Sequence, residues 1–245
     1  MKLTFKEFVI EREAIRLGKS TNDSILRDYH FTNIDRAKDA GSIKLKEYTK
    51  GMSLEDKLYY AAKYRYYCSG RYFFDGIQDS IKMPAYQPPR CRKGERWLDV
   101  VDQMLELLTP DVIAPTMVQT AININNVTKQ VNGFNYIFYA GEIAKDLAMI
   151  TDLVDPLSEC MIGKGADIGY HAMNGVIQKD PTRCLKGIML IDQHENIKQR
   201  IYDLMFDDWS FSNIEHALCE YGKYLKIREF GTGRKRKKSN QIQLI

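Results

Sequence analysis

Apolar side chains recur at helical spacing along most of this chain, and that pattern constrains the fold more than any other feature of the sequence. In residues 4–18 the apolar positions fall roughly on one side of a helix, with Thr4 and Glu7 spaced as a capping box and Gly18 placed as a helix stop. No stretch sustains the alternation of apolar and polar residues that a half-buried strand shows. The sequence therefore predicts an all-α fold.

Further helices are predicted along the chain. They cover residues 22–29, 53–75, 95–108 and 133–153, and a last helix opens at a capping box formed by Ser212 and Glu215 and runs to about residue 226. Phe134 and Phe138 are expected to face inward, and an Asn-rich loop is expected at 123–126. The many aromatic residues of 53–75 favour core packing over stacking on nucleobases.

The domain prediction is a single helical domain over residues 1–233, followed by a basic tail over 234–245. A Pro-rich connector at 84–93 is a candidate junction between two lobes, near 84–94. The formal net charge of +4 is weak evidence for a polyanionic partner, but the unbroken basic run at 234–238 concentrates charge in the tail. Such a run is either a solvated tail or a non-specific contact for phosphate backbones.

Cysteine usage and hydropathy indicate a compartment. The chain has 5 scattered cysteines without a CxxC pair, which favours reduced thiols in the cytoplasm and gives no reason to expect a structural metal or a cofactor. The N-terminus lacks the layout of a signal peptide, and no apolar run approaches the roughly 18 residues of a membrane span. We therefore expect a cytoplasmic protein without a membrane partner.

Two apparent nucleotide-binding motifs do not fit their patterns. Gly18-Lys19-Ser20 resembles the end of a P-loop, but Glu13 stands where that loop requires a glycine, and a helix precedes it where a strand is required. Gly163-x-Gly165-x-x-x-Gly169 lacks the preceding strand and the spacing of a dinucleotide-binding loop. Neither motif supports a kinase or a dinucleotide-dependent enzyme.

The same glycines fit a helix-hairpin-helix element better. Residues 157–177 are predicted to form a helix, a tight turn at Gly163-Lys164-Gly165 and a second helix. Glycines let a backbone approach DNA closely, and the next helix presents free amides to a phosphate. A helix hairpin without any ligand is the other interpretation of this pattern.

Two more constellations carry charge. One consists of Glu11 and Arg12 on the first helix with Phe31-x-Asn33-x-x-Arg36-x-x-Asp39, which predicts either surface ion pairs or a cationic clamp for phosphates. The other is Cys219-Glu220-x-x-Lys223, followed by Arg228. Cys219 is better explained as a small buried side chain than as a nucleophile, and Glu220 is either a general base or an ion-pair partner.

Five blocks taken in order are similar to one family. They are EREAIRL (11–17), NDSILRDYHFTNIDRAKDA (22–40), FNYIFYAGEIAKDL (134–147), MIGKGADIGYHAMNG (161–175) and IEHALCEYGKYLKIREFGTGRKRK (214–237). Through them the chain resembles the alpha-glutamyl/putrescinyl-thymine pyrophosphorylases and the related helical domain of 5-hydroxymethyluracil DNA kinases. The resemblance implies a helix-hairpin-helix, DNA-glycosylase-like fold and a role in thymine hypermodification, mostly in bacteriophage DNA.

The resemblance also implies a chemistry. A kinase converts 5-hydroxymethyluracil in DNA to a pyrophosphorylated base, and a protein of this family then displaces the pyrophosphate with an amine from an amino acid or polyamine. Because this chain lacks a kinase P-loop, it corresponds to the stand-alone transferase-like form. Its expected partners are double-stranded DNA with modified thymine, the amine and a 5-hydroxymethyluracil DNA kinase, in the host cytoplasm if the chain is phage-encoded.

Roles for single residues follow from this hypothesis. Arg12, Arg36 and Lys223 are the predicted cations for the diphosphate, and Glu220 or Glu11 is the predicted general base. The base, displaced from the duplex, would meet Phe31, Asn33, Asp39 and Asp146, with Phe31 stacking on it. The DNA backbone would contact Gly163, Lys164, Gly165, Arg228, Arg234, Lys235 and Arg236.

Two other functions remain compatible with the sequence. A DNA glycosylase would excise a modified base and leave an abasic site. A non-catalytic module would bind modified DNA and recruit a separate kinase.

Overall fold

The computed structural model describes residues 2–67, 70–76, 89–173, 210–231 and 233. Within these segments the regular structure is helical and contains no strand, which confirms the all-α prediction. The predicted basic tail at 234–245, with Arg234, Lys235 and Arg236, lies outside the described residues.

In the described part of the chain ten α-helices follow one another. They are α1 (Phe5–Arg16), α2 (Ser24–Asp28), α3 (Ala40–Tyr48), α4 (Leu54–Tyr66), α5 (Gly70–Asp75), α6 (Trp97–Glu106), α7 (Met117–Thr128), α8 (Ile137–Ile150), α9 (Lys164–Met173) and α10 (Phe211–Phe230). Two 3-10 turns cover Arg36–Lys38 and Pro110–Val112.

The N-terminal helix begins and ends where the sequence predicts. The hydroxyl of Thr4 accepts a hydrogen bond from the amide of Glu7, and the Glu7 carboxylate accepts from the amide of Thr4, which confirms the capping box. Gly18 follows the helix with φ at +85°, a conformation that glycine adopts without steric cost. Asp23 caps α2 in the same way, since its carboxylate accepts from the amides of Ile25 and Leu26.

The last helix begins differently from the prediction. Its N-cap is Ser210, whose hydroxyl accepts from the amide of Asn213, so the capping box expected at Ser212 and Glu215 was wrong. Glu215 is buried and accepts instead from the amide of Gly163, a partner distant in sequence. The helix continues to Phe230 and stops at Gly231 in the left-handed conformation.

The Asn-rich segment is helical, not a loop. Residues 123–126 lie inside α7, where tertiary hydrogen bonds satisfy the amide side chains and outweigh their low helix propensity. Asn123 donates to the carbonyl of Val112, and Asn125 accepts from the amide of Tyr136 at 2.8 Å. Two predictions for the next helix were also wrong: Phe134 precedes α8, and Phe138 is 48% exposed.

The chain divides into two compact units. The terminal unit combines residues 1–39 and 162–245, and the central unit covers 40–161. The chain therefore passes between units at 39/40 and 161/162, whereas the sequence placed a junction near 84–94, of which residues 84–88 lie outside the described part. The reason is tertiary: α10 packs against α9 and also against α1 and α2, which joins the two ends of the chain.

Each unit has its own core. In the terminal unit the ring of Phe8, fully buried on α1, lies 5.4 Å from those of Tyr221 and Tyr224 on α10. In the central unit α8 packs against α7 and α4, and α4 contributes the fully buried Tyr66. None of the helices in the described segments has the length and apolar character that a membrane span needs.

Candidate functional site

Arg12 fixes the segment that follows α2 in the terminal unit. Its side chain is buried on α1, and Nη2 donates to the carbonyl oxygens of Phe31 at 3.4 Å and Thr32 at 3.2 Å. Its guanidinium carbon lies 5.4 Å from the centre of the Phe31 ring. The buried guanidinium of Arg12 therefore links α1 to residues 29–39.

Glu220 and Lys223 on α10 contact the same segment. Oε2 of Glu220, a buried side chain, accepts from the amide of Thr32 at 2.9 Å. The Lys223 ammonium lies 3.4 Å from that oxygen and 4.8 Å from the centre of the Phe31 ring. Because residues three apart share a helix face, one turn of α10 presents both charges to the segment.

Arg36 joins this cluster from the 3-10 turn. Its amide donates to the Asn213 side chain at 3.1 Å, and Nη1 lies 3.4 Å from Nε2 of His216, so both groups contact α10. Its side chain is only 3% exposed. The structure thus brings four of the five predicted catalytic residues together around residues 29–39. These are Arg12, Arg36, Glu220 and Lys223, and we call the four residues the charged cluster.

A cleft of about 430 Å³ lies beside the charged cluster in the terminal unit. It is lined by Gly165, Ile168, Cys219, Gly222, Lys223 and Lys226, together with Gly233. At the glycines the wall of the cleft is backbone. The two lysines are its cationic groups among the described residues. Lys223 belongs to both the cleft and the charged cluster, so the buried charges connect to a surface that a ligand can reach.

The glycines predicted to turn a hairpin have another role. Residues 157–163 contain no helix and Gly165 lies inside α9, so the expected first helix and tight turn were wrong. The expected second helix is present as α9, and residues 174–177 lie outside the described part. Gly163 donates its amide to Glu215 at 3.1 Å. A Cβ at Gly165 would overlap the sulfur of Cys219. Gly165 is required because α9 and α10 pack closely, a contact that the local sequence pattern does not show.

A helical hairpin does occur in the central unit, between α7 and α8. Gly133 turns the connection with φ at +80°, and the Asn132 side chain accepts from the amide of Phe134 and from the Tyr136 hydroxyl. The sequence reasoning missed this hairpin, although Asn132-Gly133 is a typical turn dipeptide. It was missed because the neighbouring asparagines were assigned to a loop.

The predicted pocket residues are divided between the two units, with Asp146 in the central unit and the other three in the terminal unit. The Phe31 ring is buried in the hydrophobic core, 6.0 Å from that of Phe8, which favours packing over stacking on a base. Asn33 donates to the carbonyl of Lys38 at 2.6 Å, and Asp39 ends the 3-10 turn. Asp146 lies in the central unit, fully buried and ion-paired with Arg65.

The remaining predicted residues lie on the helices of the terminal unit. Glu11 is half-buried on α1. Arg228 on α10 donates to the Tyr224 hydroxyl at 3.2 Å and lies 3.8 Å from the Asp23 carboxylate. Arg228 therefore ties α10 to the cap of α2, whereas the sequence assigned it to DNA. For Lys164 the structure describes the backbone position at the start of α9 alone.

Searches against models of known protein families, curated proteins and solved structures found no match. Over the residues that the structure describes, no three His, Cys, Asp or Glu side chains are grouped as metal ligands would be.

Proposed function

We propose that the protein modifies thymine in DNA by displacing pyrophosphate from pyrophosphorylated 5-hydroxymethyluracil with the amine of an amino acid or polyamine. The observation that carries this proposal is the convergence of Arg12, Arg36, Glu220 and Lys223 beside a glycine-lined cleft. Buried charges next to a cleft are typical of functional sites. The substrate class comes from the resemblance of the sequence to the thymine pyrophosphorylases.

The reaction needs positive charge at the leaving group. The amine nitrogen attacks the methylene carbon on C5 of the base, and the bond from that carbon to the diphosphate oxygen breaks. The diphosphate leaves with the bonding electrons, and the nitrogen loses a proton. Lys223 and Lys226 line the cleft and are suited to bind the diphosphate as its charge increases. Arg12 and Arg36 are buried, so we assign them the positioning of residues 29–39.

The proton of the attacking amine requires a base. Glu220 already accepts from the Thr32 amide and lies 3.4 Å from Lys223, so its carboxylate is better suited to holding that lysine in place. Glu11 is half-buried on α1, the helix that supplies Arg12. Glu220 and Glu11 both stay candidates for the general base, as in the sequence analysis.

DNA must approach the cleft closely and deliver an extruded base to it. Gly165, Gly222 and Gly233 line the cleft, so part of its wall is backbone.

The test uses DNA containing 5-hydroxymethyluracil that a matching kinase has pyrophosphorylated. After incubation with the protein and a pool of amino acids and polyamines, mass spectrometry of the nucleosides should show one that is heavier by an amine adduct. Lys223→Gln should lower product formation about 100-fold, the scale seen when one charge-stabilising donor is removed. Lys38→Gln is the matched control, because Lys38 also pairs with an acid three residues away but does not line the cleft.

Two outcomes would contradict the proposal. Free base together with abasic sites would identify a glycosylase. Unchanged nucleosides, with the substrate verified as pyrophosphorylated, would contradict this chemistry and favour a DNA-binding module or a missing partner. If Lys223→Gln and Lys38→Gln lowered product formation equally, Lys223 would not have the role assigned to it.

A further inference from the structure

A second cavity lies in the central unit, and its walls are aromatic. It has a volume of about 340 Å³ and is lined by Tyr48 from α3, Tyr60 and Lys63 from α4, Tyr67 at the C-terminal cap of α4, Tyr72 and Phe73 from α5, and Gly76. We call it the aromatic pocket. It shares no residue with the charged cluster or the cleft, and its chemistry is different.

The spacing of residues on α4 builds one wall of this pocket. Lys63 follows Tyr60 by three residues, and Tyr67 follows Tyr60 by seven. All three therefore lie on one side of α4 and its C-terminal cap. Tyr66, one position before Tyr67, points into the core and is fully buried. The helix thus divides its aromatic residues between a packed core and an open pocket.

The rings of the pocket support one another at their edges. The Tyr48 ring lies 5.1 Å from that of Tyr60 at an interplanar angle of 82°, and the Tyr67 ring lies 4.8 Å from that of Tyr72. Tyr48 nevertheless remains 45% exposed, and Tyr60, Tyr67 and Tyr72 are half-buried. Aromatic surface that is pre-arranged by its neighbours and left open to solvent is suited to stacking against a planar ligand.

Lys63 gives the pocket a fixed positive charge. Its ammonium donates to the Tyr59 hydroxyl at 3.3 Å and lies 5.4 Å from the centre of the Tyr67 ring. Partial burial alone would lower the pKa of Lys63, but hydrogen bonds to Tyr59 and Tyr67 and the charges of both phenols raise it. The lysine is therefore charged at neutral pH, and it disfavours a second cation in the pocket.

The hydroxyls around Lys63 remain donors. Burial raises the pKa of Tyr67, and the neighbouring Tyr48 raises that of Tyr60 through its charge and a hydrogen bond. Stacking surface, hydroxyl donors and one ammonium together suit a planar heterocycle that carries an anionic group.

We propose that the aromatic pocket binds one nucleoside monophosphate unit, with the base stacked on the tyrosine rings and the phosphate at Lys63. The volume is near the lower end of small-ligand pockets, which fits a single nucleotide and not a longer segment. A free nucleotide and an unpaired nucleotide of a single strand offer the same chemistry. The site is independent of the proposed modification reaction.

The test measures binding of the full-length protein by titration calorimetry. The probes are dAMP, deoxyadenosine, deoxyribose 5-phosphate and spermidine. We expect dAMP to bind at least tenfold more tightly than either of its halves, and spermidine to bind more weakly than dAMP. An oligonucleotide with one unpaired adenosine, compared with dAMP, shows whether the source is a strand or a free nucleotide.

Three variants separate the two contacts. Tyr60→Leu should weaken both dAMP and deoxyadenosine by about tenfold, the scale of one base–aromatic stack. Lys63→Gln should lower the affinity for dAMP to that for deoxyadenosine and leave the nucleoside unchanged. Phe138→Leu, which alters an exposed aromatic residue outside the pocket, should bind like the wild type. Thermal melting of each variant checks that it is folded.

The proposal would be overturned by preferential binding of spermidine, which would make the pocket a cage for amines. It would equally be overturned if folded Tyr60→Leu and Lys63→Gln bound dAMP like the wild type, or if the wild-type protein bound none of the adenine probes at millimolar concentration.

Discussion

Asp146 is a fully buried carboxylate whose hydrogen-bonding capacity is used within the protein. Oδ1 accepts from Nη2 of Arg65 at 2.7 Å, and Oδ2 accepts from its Nε. Glu142 lies 3.5 Å from the same guanidinium and 2.9 Å from the Lys145 ammonium. The four charges compensate one another between α4 and α8, which favours a structural role for Asp146 over the predicted contact with a base.

Asp146→Asn should therefore destabilise the protein without altering the modification reaction in the protein that remains folded. Removing one partner of a buried ion pair costs on the order of 3 kcal/mol, because the other charge loses its compensation. Asp99→Asn is the control, since its pair with Arg96 is exposed and 3.8 Å long, and it should change the free energy of unfolding by less than about 0.5 kcal/mol. Urea unfolding measures both variants, and equal effects would contradict the structural role.

The residues of the charged cluster could be predicted from sequence, but their partners could not. The sequence identified Arg12 and Arg36 in one charged constellation and Glu220 and Lys223 in another, without a pattern that joins the two. What Glu220 binds is the backbone amide of Thr32, which lies 188 residues away along the chain. A backbone partner leaves no mark in the amino-acid sequence, so the arrangement of the cluster depends on tertiary structure.

At the scale of elements, glycine residues of α9 and α10 allow the two helices to pack closely. Gly165 and Gly169 stand four residues apart on one face of α9. A Cβ at Gly222 of α10 would lie 2.8 Å from the amide nitrogen of Gly169 and 3.0 Å from the carbonyl oxygen of Gly165. The backbones of the two helices are therefore in direct contact, and the cleft beside them keeps its shape only at this separation.

Gly169→Ala should separate the two helices. The new Cβ would lie 2.6 Å from the carbonyl carbon of Leu218 and closer still to its oxygen, and a backbone cannot move aside as a side chain can. We expect a loss of about 3 kcal/mol or more in the free energy of unfolding, at the upper end of overpacking.

Gly70→Ala is the matched control for this substitution. Gly70 is also helical, and its Cβ would meet nothing closer than 3.6 Å, so alanine should be neutral or stabilising by up to about 1 kcal/mol. Chemical unfolding monitored by circular dichroism measures both variants. A Gly169→Ala protein as stable as the wild type would mean that the helices are not in backbone contact.

Helix starts were predictable where the signal is local. The capping box of Thr4 and Glu7 depends on residues three apart, and the structure confirms it. Ser212 and Glu215 have the same spacing, but Glu215 binds the amide of Gly163 instead. Gly165 was assigned to a hairpin turn because a glycine required by a distant helix looks the same in sequence as a glycine required by a turn.

At the scale of the whole molecule, the terminal unit joins the two ends of the chain. Its core places Phe8 of α1 against Tyr221 and Tyr224 of α10, while the central unit occupies the residues between. The hydroxyl of Tyr221 donates to the carbonyl of Leu3, and that of Tyr224 donates to Asp23. Sequence periodicity predicted both helices but not their pairing, and the junction near residues 84–94 was predicted from the Pro-rich composition of 84–93.

This arrangement makes the stability of the terminal unit sensitive to alkaline pH. Burial raises the pKa of Tyr221 from 10 to about 12, and burial also raises that of Tyr224. Above pH 10 the unfolded chain releases tyrosine protons that the folded chain still binds, so the free energy of unfolding falls. The stabilisation by neutral Tyr221 is complete below about pH 10 and is lost as the pH rises through about 12.

Urea unfolding at a series of pH values measures this loss, and Tyr221→Phe isolates the contribution of one phenol. The variant should be less stable at neutral pH, because the hydrogen bond to Leu3 is removed. Between about pH 10 and 12 its free energy of unfolding should fall less steeply than that of the wild type, since phenylalanine has no proton to release. If the two curves ran parallel across this range, Tyr221 would ionise with equal ease in the folded and unfolded chains. That result would contradict the burial of the Tyr221 phenol in the terminal unit.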